Sequence, residues 1–460
     1  MLMPSESKAS PTPVPTKADV VVIGGGPAGS TAANLLAQKG YEVVLLDKAR
    51  HPRLVVGESV LPHVWKYIDL AGARADIEKA GFIKKSGGTA VWRGTIRQMK
   101  MADFGFRDPS LHVERDEFDE ILLRVAERRG VQVFEEVGVD EINFDNGTKT
   151  VAYNDRRVGE QGDIRCRYIV DASGQGAVIA NQLGFREPDK DLRFISVWGY
   201  YDDSAYIAQG GLLCPWEKRR ELRPTTIQLG TCELGWGWCW HIVQKEHTSV
   251  GLVLPPEQAA QFKATGGKLE ERFDQACREL PTIGMLLENA RLVPGSMHAI
   301  RDFAFRPTEL AGEGWCLAGD AAAFVDPINS AGVVTACYTG YASAWLADAC
   351  LSRPDRSTVS TEMFSTLVRR RLSLFRISAL PVGYNSYPED NDIALGAARL
   401  DSQSEQELLL VQGKLTDRSA NLAPLLAMDP RLKYNDTNKY RVVPELVPMR
   451  EELVVASAAT

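Results

Sequence analysis

The residues with the clearest chemical spacing lie near the N-terminus. Gly24, Gly26 and Gly29 fit G-x-G-x-x-G, with Ala28 just before the last glycine and Asp47 further on. Glycines at that spacing permit a tight turn and let a pyrophosphate approach the backbone. A helix starting there adds N–H groups and partial positive charge, and an acid about 20 residues downstream can accept hydrogen bonds from a ribose. A second anion site is suggested by Ala331 and Gly332, which open the uncharged stretch 331–347. A helix beginning at Ala331–Gly332 aims its free N–H groups outward. Lys84 and Lys85 precede a glycine pair in "GFIKKSGGTAVWRG" (81–94). Read alone, they are two solvated lysines in a loop. In "GWGWCWHIV" (235–243), Trp236, Trp238 and Trp240 alternate, so a strand places them on one face, with Gly237, Cys239 and His241 on the other. That face is either a packed aromatic core or a wall between a cofactor and a substrate.

These residues need elements to hold them. The apolar run Val20 to Ile23 reads as a buried parallel strand. A helix of small residues containing Ala32, Ala33, Leu35 and Leu36 follows and stops at Gly40, and a second apolar strand, Val43 to Leu46, ends at Asp47. Strand, glycine loop, helix, strand and acid occur in order, which predicts a dinucleotide site. Further along, "HVERDEFDEILLRVAERRG" (112–130) carries Phe118, Ile121, Leu122 and Val125 at helical spacing, with Arg115 just before the helix. "YIVDASG" (168–174) reads as a strand ending in a polar turn. "GWCLAGDAAAFVDPINSAGVVTA" (314–336) reads as a strand, the Gly319–Asp320 turn, a loop and the uncharged helix.

Composition bounds the rest. A chain of this length suggests two packed lobes. Hydrophobic residues make up 44% and charged residues 25%, as in ordinary globular proteins. A net charge of −7 argues against nucleic acid or an anionic membrane as a general partner. The eight Cys include no C-x-x-C pair and no metal-like cluster with His. Reduced, buried thiols in a cytoplasmic protein follow, with no metal expected. Residues 1–17, rich in Pro, Ser and Thr, predict a disordered tail. The stretch 331–347, "AGVVTACYTGYASAWLA", reads as a buried core helix rather than a membrane span. Residues 346–460 read as a mainly helical C-terminal region, with helices at 360–377 and within 404–430, and with the Arg369–Arg371 run on a solvated face.

Taken together, the segment 18–345 resembles the FAD-dependent monooxygenase superfamily. The implied fold is α/β: an FAD-binding, Rossmann-like domain of the aromatic-hydroxylase type with an inserted substrate-side β-sheet. In that resemblance Arg115 and Asp320 contact FAD, and Gly332 lies beside it. A reduced flavin or a halide would suit the helix start at 330–332.

Within that superfamily, the lysine ahead of a Gly-rich strand and the tryptophan motif resemble the flavin-dependent halogenases, with W-x-W-x-I-P matched by Trp238, Cys239, Trp240, His241 and Ile242. Val243 stands where that family has proline. "PRLVVGES" and "DPINSAGV" are similar to the branch acting on phenols and carrier-bound pyrroles. The resemblance implies FADH2 delivered by a separate flavin reductase, with O2 and chloride or bromide as co-substrates. A halide near Ser330, Ala331 and Gly332 becomes hypohalous acid, which Lys85 directs onto an electron-rich ring, while Trp238 and Trp240 separate flavin and substrate. Indole-acting members have a glutamate where Asn329 stands here. A phenol, pyrrole or polyketide is therefore expected, free or tethered to a carrier protein. An aromatic hydroxylase of the same fold is the alternative.

Overall fold

In the computed structural model, the residues described are 11–92, 94–144, 148–230, 237–380, 386–387, 389–390 and 440–449. The strand Val20–Ile23 lies at the centre of a six-stranded sheet, between Val43–Asp47 and Tyr168–Asp171. Its Val22 stands level with Leu45 on one side and Val170 on the other. All three strands are buried along their length, which is why they read as unbroken apolar runs rather than alternating ones. The strands Gln132–Glu135 and Trp315–Leu317 extend the parallel set outward, and Ala311–Gly312 adds an antiparallel edge. The expected Rossmann-like core is therefore present.

The helix Pro27–Gln38 follows the glycine loop, with Pro27 at its first turn. Against it packs the helix Gly332–Ser352. That is the uncharged stretch, and Val334, Thr339, Ser343, Leu346 and Ala347 are fully buried along it. Among the described residues no helix is long and apolar enough to cross a membrane. The helix runs unbroken through 345–346, so the expected boundary there falls inside one element.

Among the described residues the inserted sheet has nine strands. Its middle runs Thr248–Leu254, Trp238–Val243, Thr225–Gly230, Gly87–Trp92 and Thr95–Lys100. Neighbouring strands are antiparallel except Thr225–Gly230, which is parallel to Gly87–Trp92. A small separate sheet joins Ser59–Val60, Ser110–His112 and Ile83–Lys85, with Ser110–His112 in the middle.

Three expectations are corrected. The last part of the N-terminal tail is ordered: Val14 is buried, and Lys17 bridges to Arg165 beside a hydrogen bond from Arg165 N–H to the Thr16 carbonyl. One apolar side chain and an unpaired strand edge are enough to tie it down. The helix at 360–377 forms as Ser357–Ala379, but Arg371 is buried in it and stacks 4.4 Å from the Tyr338 ring. Arg369 donates to the Thr308 carbonyl, so the arginine run turns toward the protein rather than solvent. Finally, Tyr440–Val443 is a strand that pairs with Thr95–Lys100 at the edge of the large sheet. The helix and loop expected within 404–430 lie outside the described residues.

Candidate active site

The glycine loop has the form that a pyrophosphate requires. Gly24 adopts φ +101°, and a Cβ there would sit 2.3 Å from the Ala172 carbonyl oxygen. A Cβ on Gly29 would lie 1.9 Å from the Gly24 carbonyl oxygen, so only glycine lets the helix approach the strand so closely. Gly26 differs. Among the described residues a Cβ there meets one atom only, Nη2 of Arg53 at 3.2 Å. The backbone is thus open on the side where a phosphate would lie, under a quarter-exposed guanidinium. Ala28 is buried next to it. Asp47 ends its strand, and its carboxylate accepts from Gly25 N–H at 2.7 Å and Ala49 N–H at 2.8 Å. These residues fit a bound dinucleotide: an open, donor-rich cradle, a nearby cation and an acid at the strand end.

Arg115 stands in the first turn of the helix Arg115–Arg128, one position later than the sequence suggested. A cation there opposes the helix dipole. Asp119, one turn on, compensates by a two-pronged ion pair of 2.9 and 3.0 Å, and Nη1 of Arg115 donates to the Val56 carbonyl. Burial pulls the Arg115 pKa down, but the charges of Asp119, Asp320 and Glu58 hold it above its ordinary value. Asp320 sits on the turn after Trp315–Leu317. Burial pushes its carboxyl up to about 6, with Arg115 and a hydrogen bond from Gln175 pulling the other way. The turn is fixed to the uncharged helix because Gly319 N–H donates to Thr339 Oγ1 at 2.7 Å.

At the start of that helix, Ser330 adopts φ +55° and Ala331 is its N-cap. Among the described residues the cap has no side-chain partner, and a Cβ on Gly332 would meet nothing within 4 Å. None of the described residues covers the first N–H groups of the helix. The turn is braced from below. Asp326 accepts from Ile328 N–H, and Gln228 of the large sheet donates to the Ile328 carbonyl.

The two lysines separate completely. Lys84 is exposed, whereas Lys85 is 2% exposed. Lys85 Nζ donates to Ser59 Oγ at 2.5 Å and to Thr226 Oγ1 at 3.0 Å. Ser59 Oγ lies 2.8 Å from Ser330 Oγ and 3.0 Å from Thr226 Oγ1. Lys85 is therefore one hydroxyl away from the turn that starts the long helix, across 245 positions of sequence. Ser59, Thr226 and His112, which lies 2.8 Å from Thr226, escaped the sequence reading. So did Glu58, a fully buried carboxyl that accepts from Gly57 N–H and Tyr200 O–H. Burial pushes its pKa up. Glu58 and Ser59 do carry a signal, because "GES" stood in a quoted motif; Thr226 carries none.

Trp238 and Trp240 share one strand face, with ring centroids 5.7 Å apart. They pack among Phe194, Phe303, Ile328 and Leu380, so their apolar cluster reaches the residue two before Ser330. The Trp240 indole N–H donates to Ser249 Oγ at 3.0 Å. The Trp238 indole N–H is buried and meets no acceptor among the described residues. Trp236 lies outside those residues.

Residues 17–218 match a family model described as an FAD binding domain. The chain is 36% identical over 336 residues to a tryptophan 2-halogenase of Chondromyces crocatus, covering 72% of this chain and 61% of that protein. It is 34% identical over 348 residues to flavin-dependent halogenase armH3 of Armillaria mellea, covering 72% and 67%. The match thus spans about two thirds of these relatives' length. Among solved structures, the myxobacterial chondrochloren halogenase CndH superimposes with a TM-score of 0.72 at 26% identity, over 88% of this chain and 98% of that one.

Proposed function

This chain belongs to the flavin-dependent halogenases, and on that premise we propose that it installs chloride or bromide on an electron-rich aromatic ring, with Lys85 carrying the halogen to the substrate. Bound FAD, once reduced to FADH2, would supply with O2 the oxidising power that turns halide into hypohalous acid. The protein's residues account for the rest. Gly24, Gly26, Ala28, Gly29 and Asp47 bind the nucleotide end, and Arg115, Asp320 and Gly332 border the flavin end. A halide is held by the O–H of Ser330 and the free N–H groups after Ala331, where the helix dipole favours an anion. Hypohalous acid then meets the Lys85 amine. An ammonium donates a hydrogen bond to it; a neutral amine exchanges N–H for N–halogen and releases water. Trp238 and Trp240 keep the ring to be halogenated away from the flavin.

The observation that carries this reading is the contact chain Lys85–Ser59–Ser330, which joins the amine to the anion turn. A buried lysine held by hydroxyls, beside open helix N–H groups, has no structural need that an apolar residue would not meet better. Asn329 in the place of a glutamate favours a phenol, pyrrole or polyketide over an indole. A relative named for tryptophan keeps an indole in the test panel. A separate flavin reductase supplies FADH2, and the substrate arrives free or on a carrier protein. The test is mass spectrometry of reactions containing FAD, a flavin reductase, NADH, O2 and bromide, over phenols, acyl-pyrroles and indoles. A bromide-dependent product with the bromine isotope pair is expected. A product gaining only oxygen, with or without bromide, would instead make the chain a hydroxylase.

A further inference from the structure

The buried hydroxyls around Lys85 form one connected hydrogen-bond cluster. His112 Nδ1 lies 2.8 Å from the Val243 carbonyl, which only accepts, so Nδ1 carries the hydrogen. Burial and the Lys85 charge drive the His112 pKa well below its usual value, so the ring is neutral and Nε2 accepts. The Thr226 hydroxyl must then donate to Nε2, 2.8 Å away. Its oxygen is left to accept from Lys85. Ser59 Oγ also accepts from Lys85; its hydrogen goes to Ser330 Oγ at 2.8 Å, the nearer of two acceptors, with Thr226 Oγ1 at 3.0 Å. Ser330 is an acceptor in that contact, so its own hydrogen points away from Ser59. It sits on the turn leading to the open backbone at Gly332.

We propose that Ser59 is a positioning residue that couples the amine to the anion turn: its hydroxyl holds Lys85 in place and, by donating to Ser330, turns the Ser330 hydrogen toward a halide at Gly332. The role rests on the halogenase reading above. Thr226, whose hydrogen goes to His112, does not donate to Ser59 and so leaves the Ser59 oxygen to Lys85.

Ser59→Val and Ser59→Thr test it, since the two side chains have the same shape and differ only in the hydroxyl. With the FAD-loaded enzyme and bromide, Ser59→Val is expected to raise the bromide KM at least tenfold and cut brominated product per FADH2 at least fivefold. Ser59→Thr is expected to recover most of both. Equal losses in the two variants would make Ser59 a packing residue and overturn the proposal. A second measurement stands apart from halogenation: reductive methylation of Lys85 by formaldehyde, followed by peptide mass spectrometry. Lys85 in Ser59→Val should be modified at least threefold faster than in wild type or Ser59→Thr. Equal rates would show that Ser59 does not hold the amine. Should wild type yield no brominated product while this rate difference persists, the halogenase reading fails and the hold on Lys85 survives.

Discussion

Replacing each buried tryptophan by phenylalanine separates packing from function, because the two indoles differ in one respect. Both rings are 2–3% exposed, so both variants lose similar apolar contact, roughly 1–2 kcal/mol as a fraction of the ~3–5 kcal/mol for truncation to Ala. Their N–H groups are not equivalent. Trp240→Phe also removes the bond to Ser249 and strands a buried hydroxyl, a further cost of about 1–3 kcal/mol. Trp238→Phe removes a buried donor that meets no acceptor among the described residues, which returns about 1–3 kcal/mol and offsets the lost contact. Thermal unfolding should therefore show Trp240→Phe clearly destabilised, by a few degrees more than Trp238→Phe. The reaction should respond in the opposite order. A donor left unpaired in the apolar cluster beside Ile328 is available to a ligand, and narrowing the wall there lets oxidant escape or substrate reach the flavin. Trp238→Phe should lower halogenated product per FADH2 consumed, with more peroxide or some hydroxylated product, while FAD affinity stays near wild type. Coupling ratio and Tm measured together decide the matter. If Trp238→Phe lowers Tm as far as Trp240→Phe and leaves the coupling ratio unchanged, both residues are core packing and the wall does not exist.

Gly26→Val should abolish FAD binding in a fluorescence titration while the FAD-free protein melts near the wild-type temperature, since among the described residues its Cβ would meet only the end of the Arg53 side chain; normal FAD affinity would misplace the cradle. Asp320→Asn should change the pH dependence of stability in the FAD-free protein. The Asp320 pKa is raised to about 6 by burial, so this acid favours folding fully below its unfolded value near ~4 and loses that contribution as pH rises through 6. The variant should match wild type at pH 4 and be more stable above pH 7, by up to about 2–3 kcal/mol; parallel curves across that range would show that Asp320 is not so perturbed.

The cofactor half of the molecule was legible because its signals are local. The strand Val20–Ile23, the glycine loop and Asp47 lie within 28 consecutive residues, and each glycine answers a steric demand of its neighbours. The long helix Gly332–Ser352 was equally plain, being uncharged over more than four turns. The amine site was only half legible. Lys85 could be singled out, yet nothing in the sequence brings Ser59, His112 and Thr226 to it. They arrive through sheet pairing, His112 opposite both Ser59 and Ile83, and through the parallel strand Thr225–Gly230. Sequence alone also cannot tell an arginine run that faces water from one that stacks on Tyr338. The strand Tyr440–Val443 was missed for a similar reason: its partner lies some 340 residues earlier in the chain.

Lys85 is proposed to transfer the halogen after the flavin has done its work. Lys85→Met keeps most of the buried volume and removes only the amine, and Lys84→Ala alters the exposed neighbour. FADH2 oxidation, peroxide release and brominated product should be quantified in parallel for wild type and both variants. The account predicts that Lys85→Met consumes FADH2 at the wild-type rate, gives no brominated product and releases the difference as peroxide or free hypobromite, while Lys84→Ala behaves as wild type. Brominated product from Lys85→Met at more than about a tenth of the wild-type yield, or equal losses in both variants, would contradict it.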